Sequence, residues 1–556
     1  MSNNIDNKNE VMETEKNLGT SKSKLEQNLD EYLRLKDKLQ FDMEDYKITQ
    51  KERVLLVNPP FYRFIGFSYE YNPMGLGYIG ACLRREGYKA DISNFDFPEK
   101  IDPHEPDMLP FSEEYGKEYK QEMENENHPI WNEVRDKFRK EMPEIIGISL
   151  MSPQFDQAIH TAKIAKQINP DCITILGGVH PTVLPKECID NEYVDFVSIG
   201  EGEMYFVDLV KEITKMKSGE KYDFSTVKSI WWKNDKGEVV ANPRGDFIQN
   251  LDLLPYPIRD YEKKSEYEFM VSRVSVLTGR GCPFQCRFCA RKPMWGNKVR
   301  LRSPESVVDE IEFVYKKYGC RFVMFEDDTF TMNWPRVKKT LEMIRERGLK
   351  IKYTVQTRVT HVRDDLLKLL KETGCTNIAI GVESGNQWIL DRIKKDITLD
   401  EVRTAVRKIQ DNGMLVSSFF IMGYPWETKE MIKDTENFIK ELGSDITHLY
   451  MLIPLPGSVL YDEAIVEKRL IPKDWFYYFF QNPNVVRHDH FDNEWFYQRY
   501  CEMKTYIHTL RRDVLKKKSR SFKFIFNKVK DHLKSPRRLW YFAKRFIKIQ
   551  LGLVEK

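Results

Sequence analysis

The chain has 556 residues, more than one hydrophobic core usually organises, so at least two large domains are expected. Hydrophobic residues make up 41% and charged residues 31%, a composition that excludes a disordered or fibrous protein. No apolar run reaches the length of a membrane span, and the polar start lacks a secretion signal, so we expect a cytoplasmic protein. Nine cysteines, an odd number, argue against a disulfide framework.

The first 220 residues divide into a polar extension and a β/α series. Residues 1–50 are polar, and an apolar series at Leu25, Leu29, Leu33 and Leu39 predicts one amphipathic helix, to which we assign no chemistry. Residues 51–220 alternate short apolar strands with helical patterns, apart from a polar insertion at 98–143. The strands read VLLVNPP, KADISNFD, IIGISLM, CITILGG and DFVSIG. This alternation predicts a Rossmann-like parallel sheet covered by helices on both faces.

A second β/α series follows a linker predicted for residues 221–270, which holds two short strand patterns, SIWWKN and EVVAN, and the turn-rich LPYPIRDY. Residues 271–470 contain six apolar strands, each but the last followed by a helical pattern: RVSVLTG, RFVMFEDD, IKYTVQTRV, NIAIGVES, LVSSFFIMG and ITHLYMLIPLP. This spacing predicts a partial (β/α)6 barrel. Ser303 before Pro304, and a capping box of Thr398 with Glu401, mark the starts of two of its helices. The sequence therefore predicts an α/β fold.

Residues 471–556 form a carboxyl-terminal region that is first aromatic and then basic, and that we expect to be helical. Between residues 511 and 556 there are sixteen Lys or Arg against three Asp or Glu. Charge confined to one tail predicts an anionic partner for that segment rather than a nucleic-acid enzyme. A helix at 537–548 would carry basic and apolar residues on opposite sides. Peripheral contact with an anionic membrane surface and capping of the barrel both stay open.

Three of the nine cysteines, Cys282, Cys286 and Cys289, lie within eight residues directly after the first barrel strand. Barrel enzymes carry their chemistry on the loops at the carboxyl ends of the strands, so these thiols are expected at the mouth of an active site. Thiolates so closely spaced can bind three irons of one cubane cluster, which leaves the fourth iron open. Zinc is the less favoured alternative, because no second Cys or His pair completes a four-ligand set.

Cys282, Cys286, Phe288 and Cys289 form a C-x3-C-x-aromatic-C pattern that resembles the signature of radical S-adenosylmethionine (SAM) enzymes. The resemblance implies a partial barrel of six β/α units and a [4Fe-4S] cluster whose open iron chelates SAM, with Phe288 near the adenine. It also implies an external reductant such as flavodoxin or ferredoxin. One electron from the cluster would cleave SAM to a 5′-deoxyadenosyl radical, which removes a hydrogen atom from the substrate.

Further candidate residues follow from the same resemblance. Glu326, Asp327 and Asp328 in FEDDTF end the second barrel strand, where the family binds the SAM amino group. The chain lacks the commoner Gly-Gly-Glu form, so the carboxylate that serves is left open. Glu383 in GVESG ends the fourth strand, where similar enzymes place a carboxylate near the methionine or ribose of SAM. The alternative for each acid is a helix cap or a salt bridge.

The first β/α series, joined in this order to such a barrel, resembles the cobalamin-binding domain of vitamin B12-dependent radical SAM enzymes. The residues that carry the resemblance are Ser149, Gly177, Gly178, Gly200 and Glu201. Where other B12 domains have D-x-H-x-x-G, this chain reads Asn58 to Arg63 without a histidine, so no cobalt-ligating imidazole is expected there. A degenerate domain that binds no cobalamin is the alternative.

The favoured function is cobalamin-dependent methyl transfer to an unactivated carbon of a small molecule, with a lipid or other hydrophobic substrate suggested by the tail. One alternative is a B12-dependent oxidative cyclisation or rearrangement that moves no methyl group. Another is an iron-sulfur electron-transfer protein without catalysis. No residue of the sequence identifies the substrate or a catalytic side chain.

Overall fold

The computed structural model describes residues 19–39, 46–65, 73–96, 113–259, 273–471, 474–479 and 482–519. Within them, the two β/α series form two separate parallel sheets, as the sequence predicts. None of the described helices combines the length and the apolar character needed to cross a membrane. The basic helix expected at 537–548 lies outside the described residues, so the expectations about the tail remain predictions.

The first sheet has seven strands: β1 (Arg53–Asn58), β2 (Lys89–Asn94), β3 (Ile145–Ser149), β4 (Ile173–Gly177), β5 (Phe196–Ser198), β6 (Ile230–Lys233) and β7 (Val239–Ala241). Their order across the sheet is β2-β1-β3-β4-β5-β6-β7, and β1 to β5 pair in parallel. Leu55 and Val57 of β1 join one hydrophobic core, whereas Val54 and Leu56 join another. Because side chains alternate along a strand, both faces of the sheet are buried.

Strands β6 and β7 come from the segment that the sequence predicts to be a linker. They form an antiparallel hairpin, and Ile230 of β6, which is buried, pairs with Ser198 of β5. The hairpin covers the edge that β5 would otherwise expose. Residues 230–241 therefore extend the first domain, through a pairing that their short strand patterns did not indicate.

Helices cover both faces of the first sheet. The polar insertion itself contains two of them, which bury Tyr119, Trp131 and Phe138 against the sheet and leave their polar residues outside. The helices of this domain are Met74–Arg85, Glu113–Glu124, Pro129–Glu141, Phe155–Ile168, Val179–Val183, Pro185–Ile189 and Gly202–Lys217.

The second sheet has six parallel strands: β8 (Arg273–Val276), β11 (Phe322–Phe325), β12 (Lys352–Thr357), β13 (Cys375–Glu383), β14 (Leu415–Met422) and β15 (Ile446–Met451). They follow one another in chain order, and β8 does not pair with β15, so the barrel is partial. A short antiparallel pair, β9 (Gly279–Arg280) and β10 (Arg300–Leu301), brackets the segment that carries the three clustered cysteines.

Local sequence signals set the ends of the barrel helices. The Ser303 hydroxyl accepts a hydrogen bond from the Ser306 amide at 3.2 Å, and Thr398 forms the predicted capping box with Glu401. Gly374 ends a helix with a φ of 109°, in the region that favours glycine. The helices around the barrel are Lys292–Trp295, Pro304–Lys317, Trp334–Glu346, Asp364–Thr373, Gln387–Arg392, Leu399–Asp411, Lys429–Leu442 and Val459–Val466.

Two long helices pack against the barrel. Helix Asn493–Ser519 covers the edge of β15, where the buried Tyr500 donates a hydrogen bond to the Leu449 carbonyl oxygen at 2.9 Å. The amino-terminal helix Gly19–Leu39 confirms the helix predicted in the polar extension. Its buried Tyr32 donates to Asp309 at 2.7 Å, which fixes that helix to the barrel.

Candidate active site

A cavity of about 400 Å³ lies between the carboxyl ends of the strands of the two sheets. The first sheet contributes residues at the ends of β1 to β5, and the barrel contributes residues just after β8 and β11. Open parallel sheets bind ligands at this edge, and barrel enzymes carry their chemistry at the same end of their strands. This cavity, shared by the two domains, is therefore the candidate active site.

All the residues predicted to bind cobalamin line this cavity: Ser149, Gly177, Gly178, Gly200 and Glu201. Gly178 has a φ of 105°, and a Cβ there would lie 2.8 Å from the Leu150 carbonyl oxygen. Glycine is needed at this turn because a side chain would be strained and would collide with the backbone. The small lining residues leave room at the strand ends for a bulky cofactor, and their contact with cobalamin itself stays a prediction.

Glu201 also joins the two domains in a way that the sequence did not predict. Its carboxylate accepts hydrogen bonds from Arg280 at 2.8 Å and from Arg300 at 2.7 Å, and both arginines belong to the barrel segment. Arg280 also pairs with Glu203 at 2.5 Å. These four buried side chains, Glu201, Glu203, Arg280 and Arg300, form the interdomain ion-pair cluster. The cluster sits beside the cavity and fixes the two sheets relative to each other.

Asp96, which no sequence motif singled out, is a buried acid in the cavity wall. One carboxylate oxygen, Oδ1, accepts backbone hydrogen bonds from Phe61 at 2.5 Å and Tyr62 at 2.7 Å. The other, Oδ2, is buried and has no hydrogen-bond partner within the described part of the chain. Burial raises the pKa of Asp96 from its ordinary value to about 7, despite these backbone donors. When Asp96 is protonated, its proton is therefore expected on Oδ2, because Oδ1 already accepts the backbone hydrogen bonds.

We expect an Asp96→Asn variant to respond less to pH than the parent protein. The pKa of Asp96 is raised on folding, so the neutral acid contributes to the stability of the fold at low pH. This contribution is lost as the pH rises toward 7. Between pH 5 and pH 8 the parent should lose on the order of 3 kcal/mol of folding stability that the neutral variant keeps, because the loss of about 1.4 kcal/mol per pH unit ends near the pKa of about 7. Urea unfolding at both pH values measures this difference. Equal losses in both proteins would show that Asp96 ionises normally.

The three cysteines of the motif lie in the loop between β9 and β10. Cys282, Cys286 and Cys289 are partly exposed free thiols, whereas the other free cysteines of the chain, except Cys501, are buried. Within the described ranges, no three His, Cys, Asp or Glu side chains converge on a single ion. A cubane does not require such convergence, because each thiolate binds a different iron at a separate corner.

The surroundings of the cysteines fit an anionic cluster. The Arg358 guanidinium donates a hydrogen bond to the Cys286 sulfur at 3.7 Å, and Arg291 donates to the Cys282 carbonyl oxygen at 2.5 Å. Two arginines at one short loop favour the negative charge that iron-bound thiolates bring. The donor set, three partly exposed thiols beside the buried Arg358 and the partly buried Arg291, therefore fits a [4Fe-4S] cluster.

The three acids predicted to bind the SAM amino group differ in their surroundings. Glu326 and Asp328 line the cavity, where Glu326 accepts a hydrogen bond from Ser275 at 2.9 Å. Asp327 is not among the lining residues and accepts hydrogen bonds from the Thr278 hydroxyl at 2.7 Å and the Thr278 amide at 3.2 Å. Burial raises the pKa of all three acids. The geometry favours Glu326 or Asp328 as the SAM contact and gives Asp327 a role in holding the loop after β8.

Glu383 ends β13 in an unusual backbone conformation. Its φ is 74°, and the pairing with β14 shifts register between Gly381 and Glu383. The irregularity turns the carboxylate back over Gly381, where a Cβ would overlap it. Lys395 donates to the carboxylate at 2.6 Å, and both side chains are buried. The structure thus fixes Glu383 at the carboxyl end of the barrel, and its predicted contact with SAM stays a proposal.

Phe288 is partly buried against the barrel core, and the Lys395 ammonium lies 5.8 Å from the centre of its ring. Its place within the cysteine loop connects that loop to the Glu383–Lys395 pair. Of the predicted residues, one group surrounds the interdomain cavity, and the cysteines with Phe288 and Glu383 form a second group at the barrel mouth. The contact of Phe288 with adenine remains a prediction.

Comparison with known proteins agrees with both halves of this site. Residues 276–439 match the Radical SAM superfamily, and residues 64–210 match the B12 binding domain. The chain is 32% identical over 369 residues to an uncharacterized methyltransferase of Pyrococcus horikoshii, a match that covers 66% of this chain and 78% of the relative. It is also 32% identical to the anaerobic magnesium-protoporphyrin IX monomethyl ester cyclase of Rubrivivax gelatinosus, over 60% of each chain.

Among solved structures, the cobalamin-dependent SAM radical enzyme OxsB with aqua-cobalamin and SAM bound matches with a TM-score of 0.63. The match covers 91% of this chain and 71% of OxsB at 16% identity, so it bears on the fold alone. It confirms the predicted order of a Rossmann-like domain followed by a partial barrel. Together, the family matches, the cysteine loop and the glycine-lined sheet edge show that the chain belongs to the cobalamin-binding radical SAM enzymes.

Proposed function

We propose that the protein transfers a methyl group to an unactivated carbon of a small molecule. The observation that carries this proposal is the single cavity bounded by the cobalamin-type sheet edge and by the barrel segment next to the cysteine loop. When bound, the cluster with SAM supplies a carbon radical, and cobalamin supplies the methyl group. The methyltransferase relative supports this choice, because its match extends over 78% of its length, against 60% for the cyclase.

In this reaction the side chains of the protein would bind the cluster, orient SAM and shield the cavity from water. Cys282, Cys286 and Cys289 would hold the cluster, while Glu383, held by Lys395, orients polar groups of SAM at the barrel mouth. In its protonated form, Asp96 would present an Oδ2 hydrogen-bond donor in the cavity wall. The interdomain ion-pair cluster keeps the two sheets together beside the cavity, which limits the entry of water.

Oxidative cyclisation remains the second candidate, because the Rubrivivax cyclase is as similar in identity as the methyltransferase. Both candidates use a small-molecule substrate and an external one-electron reductant. Three further proposals are supported only by the sequence. The sixteen Lys or Arg after residue 510 support contact of the tail with a lipid surface and a lipid substrate. The polar start supports a cytoplasmic location.

The transfer of label from SAM separates the two candidates. Reconstituted protein, cobalamin, a low-potential reductant and extract of the producing cell are incubated anaerobically with SAM that carries a deuterated methyl group. Methyl transfer predicts a product that is heavier than the unlabelled product by the mass of the three deuterium substitutions. A product formed together with 5′-deoxyadenosine but without deuterium would overturn methyl transfer and favour cyclisation.

A further inference from the structure

Arg358 is a buried cation whose contacts converge on the cysteine loop. It follows β12, and its exposed fraction is 6%. One terminal nitrogen donates to the Cys286 sulfur at 3.7 Å, and the other donates to the Lys395 carbonyl oxygen. The guanidinium carbon lies 3.6 Å from the centre of the Phe284 ring, which fixes the plane of the group. Three separate contacts therefore hold Arg358 in one orientation.

The charge of Arg358 has no carboxylate partner among the residues that the structure describes. Among the residues that the structure describes, no Asp or Glu forms an ion pair with it, and its Nε is buried without a hydrogen-bond acceptor. Glu383 pairs instead with Lys395, the residue whose carbonyl oxygen accepts from Arg358, at 2.6 Å. Burial of an unpaired guanidinium is costly, so such groups are normally matched by a negative charge. The Cys286 sulfur is the partner to which Arg358 donates, and an iron-bound thiolate would provide the missing charge.

We propose that Arg358 raises the reduction potential of the cluster through its charge and its N–H···S hydrogen bond to Cys286. The inference rests on the proposed function, because it requires a cluster at this loop. Reduction adds one electron to the cluster, so the reduced form gains more than the oxidised form from a nearby cation. Hydrogen bonds to the sulfurs and the local charge are among the factors that set such potentials. Arg358 is thus a positioning and tuning residue that makes the cluster easier to reduce.

The test is a redox titration of the full-length, reconstituted protein without SAM, followed by electron paramagnetic resonance. We expect Arg358→Met, which removes charge and donor, to reduce the equilibrium constant for one-electron reduction about tenfold, a shift of about 59 mV to lower potential. Arg358→Lys keeps the charge and should lose less than half as much. Arg363→Met is the matched control, because that arginine is exposed and pairs with Asp365 at 2.7 Å.

The outcomes distinguish this inference from the proposed function. A lower potential in Arg358→Met, with Arg358→Lys between it and the parent and no change in Arg363→Met, supports the inference. An unshifted potential in Arg358→Met with full iron content overturns it alone. Loss of iron from both Arg358 variants with unchanged circular dichroism also overturns it, because Arg358 would then retain the cluster rather than tune it. A parent protein that assembles no cluster would overturn the proposed function as well.

Discussion

Replacement of Cys286 by alanine is expected to abolish the formation of 5′-deoxyadenosine, by at least about 10³-fold. The reason is that each of the three thiolates binds a different iron, so no neighbouring thiol can take over the lost position. The change also removes the sulfur to which Arg358 donates, and leaves that buried cation without its partner. Iron and sulfide analysis after anaerobic reconstitution, with chromatography of the nucleoside product, measures both effects.

Cys501→Ala is the matched control for the cysteine prediction. Cys501 is a partly exposed free thiol like the motif cysteines, but it lies on the helix Asn493–Ser519, outside the loop. Its replacement should leave the iron content and the nucleoside yield unchanged. Full iron and normal product from Cys286→Ala would contradict the assignment of this loop as the cluster site.

Glu201→Gln is expected to destabilise the protein by about 3–5 kcal/mol, the usual cost of breaking a buried ion pair from one side. The substitution leaves Arg300 buried without a carboxylate, while Arg280 keeps only Glu203. Because the cluster joins the first sheet to the barrel, we also expect weaker cobalamin binding. Urea unfolding gives the change in free energy, and absorbance after gel filtration gives the bound cobalamin.

Two variants calibrate the Glu201 prediction. Asp190→Asn removes an exposed partner of Lys186, at 2.6 Å, and should cost less than about 1 kcal/mol. A double variant, Glu201→Gln with Arg300→Met, removes the unpaired charge and should regain part of the lost stability. A cost for Glu201→Gln no larger than that for Asp190→Asn would show that the interdomain ion-pair cluster does not hold the domains together.

The sequence patterns predicted the fold correctly where neighbouring residues alone determine a strand or a helix end. The six barrel strands, the Ser303 cap and the Thr398–Glu401 capping box are present as expected. Residues 230–241 differ, because two short strands carry little information about which distant edge they cover. Pairing with β5 is a tertiary contact, and strand patterns alone do not encode it.

The candidate site shows the same division between local and long-range information. The cysteine loop was found because its ligands are adjacent in sequence, and the cavity-lining glycines follow strand ends. Arg358, Asp96 and the partners of Glu201 were missed, because each acts on residues far along the chain. The signals available were only an arginine just after a barrel strand and an acid just after β2. Such signals are common, and burial is what distinguishes these residues.

Three cysteines are expected to hold a cluster whose remaining iron is free for SAM. The decisive measurement is electron paramagnetic resonance of the reduced, cobalamin-free protein before and after addition of SAM. We expect SAM to change the spectrum of the cluster, because it binds the iron that lacks a cysteine. A cluster signal that is identical with and without saturating SAM would rule out an open iron, because all four irons would then already be occupied.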